Sequence, residues 1–221
     1  DELDAVFGDA DDMLSISSNG AGFYQNALGG PTSLNINPAL IPLFPSLALD
    51  SWVTIGLEDN VGNNMLNIGI DWSGFEGGGD IETDNGAWFA TPINPQCLAG
   101  EDLRVLFGQF TMYGTDSHIW GVLNLQGKQG DFVTFQALGQ TFDFRAPHTW
   151  TVDDDGKADF DNIQAAVDAA SDGDMIFVYP GTYTSTADEV VNMLGKAVTL
   201  RSLYPNNPDV VATTIIDGEG V

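Results

Sequence analysis

Apolar residues recur at two spacings along this chain, and the spacing changes once. Through residues 1–147 they alternate with polar residues in short runs, the pattern of half-buried strands. Asp12–Ser18 carries Met13, Leu14 and Ile16; Trp52–Leu57 reads Trp-Val-Thr-Ile-Gly-Leu; Leu66–Trp72 sets Leu66, Ile68, Ile70 and Trp72 on one face. Leu103, Val105 and Phe107 share a face, Gly108 interrupts, and Phe110 and Met112 follow in shifted phase, which predicts a β-bulge. Ile119–Gln126, Phe132–Ala137 and Thr141–Arg145 supply three more strands, and Asn19-Gly20, Gly77-Gly78-Gly79-Asp80, Asp84-Asn85-Gly86 and Gly127-Lys128-Gln129-Gly130 mark turns. The stretch Asn37–Leu49, with Pro38, Pro42 and Pro45, cannot be a central strand and predicts an apolar loop across one end of the fold. With no useful amphipathic helix in this part, an antiparallel β-sandwich or jelly roll is expected.

A 3.6-residue spacing enters later. Ile163, Ala166, Val167 and Ala170 fall on one face of a helix expected over Asp161–Ala170, with Asp161 as N-cap and Gln164 completing a capping box. Short strands are expected at Met175–Tyr179, Val190–Met193, Ala197–Ser202 and Thr213–Asp217. Ile176 and Val178 recur in kind at Val198 and Leu200, and a period near twenty predicts a parallel solenoid. Composition shifts at the same place: residues 1–147 hold 20 of the 26 glycines and 11 of the 13 phenylalanines. The expected domains are therefore 1–147 and 148–221, joined through Arg145-Ala146-Pro147-His148.

Val152-Asp153-Asp154-Asp155-Gly156, Phe160-Asp161-Asn162-Ile163-Gln164-Ala165-Ala166-Val167, Asp172-Gly173-Asp174 and Pro180-Gly181-Thr182-Tyr183 follow one another in order. This series resembles the N-terminal cap and first coil of right-handed parallel β-helix proteins, the pectin-lyase-like superfamily. Leu194–Leu200 and Thr214–Gly218 resemble the next coils. The resemblance covers about residues 150–218 and implies a capping helix over the first coils. The family's catalytic and sugar-binding groups lie on later coils, so none is carried over. The chain reaches Val221 within its third coil, which leaves two expectations: the natural chain continues, or a second chain covers that end. Residues 1–147 bear a weaker resemblance to modules of bacterial secreted and surface proteins. The expected class is thus all-β: a sandwich followed by the capped start of a right-handed parallel β-helix.

Charge narrows the partners. Thirty-two Asp and Glu face six Lys and Arg, a formal net charge of −26. Such a surface repels nucleic acid and anionic membranes. The acids are spread, 19 against 3 bases in residues 1–147 and 13 against 3 beyond. Adaptation to salty surroundings and carboxylate sites for Ca²⁺ both fit. Asp153, Asp155, Asp159 and Asp161 alternate before the helix, and Glu76, Asp80, Glu82 and Asp84 surround a triple glycine; both sets offer hard oxygens for Ca²⁺. Against this stand a helix cap that favours acids and a solvated hairpin tip. No apolar run is long enough to span a membrane.

Catalytic patterns are sparse. Asp116-Ser117-His118 holds triad residue types, but neighbours on an extended chain point to opposite faces. No phosphate loop and no G-x-S-x-G occurs. Lys196 and Arg201 read as packing and charge balance. Five tryptophans offer planes to sugars, and Trp88, beside the Asn85-Gly86 turn, is the favoured platform. The lone Cys97 is a bystander thiol or an intermolecular disulfide partner. A start at Asp1 without Met fits a mature form cut from a precursor. The sequence therefore points to a secreted or surface structural protein without an enzyme's constellation, serving display or adhesion and partnered by copies of itself in a filament or layer. The alternative is the N-terminal part of a polysaccharide lyase or hydrolase, or a carbohydrate-binding module.

Overall fold

The computed structural model describes residues 1–114, 117–131, 133–184 and 189–218. It is mostly β, in two units, Asp1–Arg145 and Ala146–Val221. Among the described residues the first unit holds nine strands: β1 Glu2–Gly8, β2 Leu14–Ser18, β3 Trp52–Val53, β4 Leu66–Ile68, β5 Ile81–Thr83, β6 Gly86–Phe89, β7 Gly108–Gln109, β8 His118–Lys128 and β9 Thr134–Arg145; β1, β5 and β6 lie outside the expected runs. A single helical turn, α1, spans Ser73–Glu76. Seven strands form an antiparallel sheet in the order β4-β6-β1-β8-β2-β5, with β9 on the other edge of β8; β3 and β7 pair separately.

Strand β8 organises this sheet because it changes partners halfway. Ile119–Val122 pair with β2, whereas Asn124–Lys128 pair with β1. At the changeover Asn124 is fully buried. Its Nδ2 donates to the Asp12 carbonyl, and its Oδ1 accepts from Gly139 N at 2.8 Å. Opposite it β9 carries an extra residue, since Leu123 pairs with Gln140 but Leu125 with Ala137. Gly139 sits in that bulge at φ 60°, a conformation that favours glycine. The core holds Val6, Leu14, Ile16, Phe23, Ile55, Phe75, Ile81 and Trp88. Phe23 meets Phe75 and Phe110 at ring distances of 5.6 Å each. Burying each such side chain contributes about 1.5–3 kcal/mol.

Several strands differ from expectation. β1 is not among the expected strands: Leu3, Ala5 and Phe7 alternate as an apolar face, but the fully buried face is the opposite one, which begins with Glu2 and Asp4 before Val6. Leu66 and Ile68, expected inward, are exposed. Gly69, at φ 72° and tight against Asn85 O, breaks the phase, so that only Ile70 and Trp72 reach the core. In Leu103–Tyr113 only Gly108–Gln109 pairs as strand, and Leu103 turns outward at φ 59°. The runs expected from Phe132 and Thr141 are one bulged strand, β9; Phe132 itself lies outside the described residues. Asn37–Leu49 is irregular apart from a 3₁₀ turn at Pro45–Leu49 and closes over its own cluster of Ile36, Leu47 and Trp52.

The second unit holds β10 Thr149–Val152, α2 Ile163–Ala169, β11 Met175–Val178, β12 Gly181–Tyr183, β13 Thr199–Ser202, α3 Pro208–Thr213 and β14 Thr214–Ile216. Strands β10, β11 and β13 pair in parallel, as do β12 and β14. These two short sheets do not by themselves make a parallel β-helix. Ile176 pairs with Leu200, not Val198, and Ile215 pairs with Thr182. Helix α2 buries Ile163, Ala166 and Val167, with its C-cap Ala170, against Val152, Ile176 and Val178. Its N-cap is Asn162 rather than Asp161: Asn162 Oδ1 accepts from Ala165 N at 2.8 Å. Gln164 makes no capping box. Its side-chain amide instead takes both backbone groups of Asn192, at 2.7 and 3.1 Å, and Val190–Met193 is not a strand.

Candidate functional site

One buried acid and one exposed acid pin the strands of the second unit. Asp174 is fully buried and accepts from His148 N, Trp150 Nε1 and Ser171 N at 2.7, 3.0 and 2.9 Å. Asp154 Oδ2 accepts from Thr182 N at 2.9 Å, and a Cβ on Gly181 would lie 2.5 Å from that carboxylate. A larger residue where β12 leaves the Pro180 turn would displace that carboxylate. Tyr183 donates to the carbonyls of Tyr179 and Val152, and burial pushes its phenol up to about 12. Lys196 Nζ donates to Val167 O and Asp168 O at 2.8 Å each, so its cation holds the C-terminal carbonyls of α2. Arg201 lies 4.6 Å over the Phe177 ring, its cross-strand partner.

Each of the two sheets ends, on its C-terminal side, in an edge strand. Strand β13 pairs only with β11 and β14 only with β12 among the described residues. Ile215, Ile216 and Val211 beside them are 45%, 52% and 47% exposed. An apolar cleft of about 260 Å³, lined by Val178, Leu200, Val211, Thr214 and Ile216, opens between β13 and the α3–β14 segment. Unpaired backbone groups next to exposed branched side chains are the chemistry of strand addition.

The acids proposed for Ca²⁺ do not converge. Asp159 Oδ2 accepts from Thr151 Oγ1 and N at 2.7 and 2.9 Å, and those bonds hold its carboxyl below the usual range. Asp155 is lowered by its hydrogen bond from Lys157. Asp153 accepts from Asp155 N at 3.3 Å and Asp161 from Asn162 Nδ2 at 2.8 Å. Glu76, Asp80, Glu82 and Asp84 are all exposed, and Asp80 accepts from Ser18 N at 3.3 Å. Among the described residues no three His, Cys, Asp or Glu side chains form a metal-ligating group.

Trp88 offers no sugar platform. It is 0% exposed in the middle of β6, between β1 and β4, and packs 6.3 Å from Trp72. Its nearness to a turn in the sequence concealed a central position in the sheet. The tryptophan that faces solvent is Trp120, 38% exposed on β8. Asp116 lies outside the described residues; of its neighbours, Ser117 donates to the Tyr113 and Gly114 carbonyls, and His118 Nε2 meets Asp143 Oδ1 at 2.9 Å.

A pair of carboxylates that no spacing singled out sits at the start of β1. Glu2 and Asp4 are 6% and 3% exposed on one face. Lys128 Nζ lies 3.3 Å from Glu2 Oε1 and 3.6 Å from Asp4 Oδ2. Burial first, then the charge of Glu2, pushes the Asp4 carboxyl above its usual range. Glu2 Oε2 also accepts from Ile93 N at 3.1 Å. Withdrawn from solvent, the cluster ties β1 to the end of β8 and to the 93–99 loop. Cys97 lies in that loop, 0% exposed, its thiol pushed up to about 11 by burial and by Asp4 and Glu2. A disulfide to a second chain is closed to it while this unit is folded. No family model, curated protein or solved structure matches the chain.

Proposed function

We propose that the protein is an extracellular structural protein that joins copies of itself through the strand edges of its second unit. The observation that carries this is the pair of outer edges, β13 and β14, flanked by exposed Ile215 and Ile216. Parallel strand pairs, a helix packed on their apolar face and the ordered motifs of residues 150–218 support reading this unit as the first coils of a right-handed stack. An adjoining strand of another copy would take up the free N–H and C=O groups and cover the apolar cleft. We place it in salty surroundings, where a net charge of −26 is screened. There Ca²⁺ would act as a counter-ion to spread carboxylates, lowering the repulsion between copies.

Light scattering and electron micrographs of the 221-residue protein, with and without Ca²⁺, test this. Large regular particles are expected, more so with Ca²⁺. The double substitution Ile215→Lys, Ile216→Lys is expected to leave monomers of unchanged circular dichroism, because it places charge on the joining edge. A parent protein that stays monomeric in both conditions overturns the proposal.

A further inference from the structure

We infer that the outward face of β2, β8 and β9 is a binding platform for a neutral polysaccharide, with Trp120 as its stacking plane. All five tryptophans are described, and only Trp120 belongs to the solvent. Trp52 and Trp88 are buried, while Trp72 and Trp150 are half-buried with their indole N–H groups donated to Asn67 and Asp174.

Strand pairing sets what surrounds the indole. Residues directly opposite one another share a face of the sheet. Trp120 pairs with Ser17 on one side and Asp143 on the other. Val122 pairs with Ser15 and Thr141, and Ser15 in turn with Glu82 of β5. The indole is thus ringed by three hydroxyls and a carboxylate. A shallow groove of about 370 Å³ runs over Ser15, Trp120, Val122, Thr141 and Asp143, within the size range of small-ligand clefts. The plane is also held in place. His118 packs 4.7 Å from the Trp120 ring, and its Nε2 is anchored 2.9 Å from Asp143 Oδ1.

This pattern favours a neutral sugar over apolar and anionic partners. A wholly apolar partner would cover the hydroxyls of Ser15, Ser17 and Thr141 and the Asp143 carboxylate without replacing the water they lose. Uronates, sulfated glycans and nucleic acids meet Asp143, Glu82 and the field of a chain carrying −26. A neutral pyranose has C–H faces for the indole and equatorial hydroxyls for the ring of acceptors and donors, and it carries no charge to be repelled. The platform lies in the first unit and is independent of the assembly edges in the second.

The experiment is affinity electrophoresis of the full 221-residue chain in gels containing barley β-glucan, xyloglucan, galactomannan or polygalacturonate. Tryptophan fluorescence is titrated in parallel. Retardation by at least one neutral polysaccharide and none by polygalacturonate is expected. Trp120→Ala should weaken that binding tenfold or more and abolish the fluorescence change, Trp120→Phe should lose less, and Asp143→Asn should bind more weakly than the parent. Lys157→Ala, on the second unit, should bind like the parent. Circular dichroism verifies each fold; should Trp120→Ala misfold, Trp120→Phe and Asp143→Asn decide. Absence of retardation by every neutral polysaccharide overturns the inference. So does binding that the folded Trp120 and Asp143 variants retain in full, or preference for polygalacturonate. Particle size in the assembly experiment should be the same for Trp120→Ala and the parent.

Discussion

Asp4 holds its proton more tightly in the folded chain than in the unfolded one, because burial and Glu2 outweigh the opposing pull of Lys128. The sign of its linkage follows. A group with a raised folded pKa contributes stability that is complete below the unfolded value, 3.8, and is lost as pH rises through the folded value. Asp4→Asn removes that loss. In urea unfolding over a pH series from 3.5 upward, its stability relative to the parent is expected to improve as pH rises past 3.8. A relative decline would mean that Lys128 dominates. Asp50, fully buried and also raised by burial although it accepts from Asn26 N and Gly30 N at 2.6 and 3.0 Å, contributes in the same direction in both proteins. Single acids were the least legible feature of the sequence. Glu2, Asp4, Asp50 and Asp174 are spelled like the many solvated ones, and partners 20 to 126 residues away set them apart.

Helix α2 shows what is legible at the scale of an element. Its buried face, Ile163, Ala166, Val167 and Ala170, could be read directly, because the positions lie within two turns of one another. Its first residue could not, since Asp161 and Asn162 are both good caps and the backbone chose the second. Asn162→Ala should lower the stability of the second unit by about 1 kcal/mol, measured by chemical denaturation, whereas Asp161→Ala should change it by under about 0.5 kcal/mol. Equal losses would assign the cap to both. Strands were read less well. Periodicity identified β8 and most of β9, but in β1 the apolar alternation of Leu3, Ala5 and Phe7 marks the half-buried face, while the fully buried face opens on Glu2 and Asp4. The pairing partner of a strand is a non-local fact. Thus the repeat of Ile176 with Val198 missed by two residues the register that places Ile176 on Leu200.

At the scale of the whole chain, the change in composition near residue 147 falls close to the division at Arg145 and Ala146. The tryptophan that faces solvent was not readable at this scale, because exposure depends on which sheet face is covered. The charge has a direct consequence. With 32 acids against 6 bases, folding brings like charges together, and salt relieves this as the screening length shrinks from about 10 Å at 0.1 M to about 3 Å at 1 M. The thermal midpoint should therefore rise by several degrees when NaCl is raised from about 0.1 to about 1 M, followed by circular dichroism; a fall or no change would show that repulsion among the acids does not limit stability. Cys97 gives the same molecule a clock. Buried in the 93–99 loop against β1, its thiol pushed up to about 11, the one sulfhydryl in the chain meets a thiol-reactive dye only in the instants when that loop or the strand opens. The labelling rate under native conditions counts those openings, with no foreign reporter introduced.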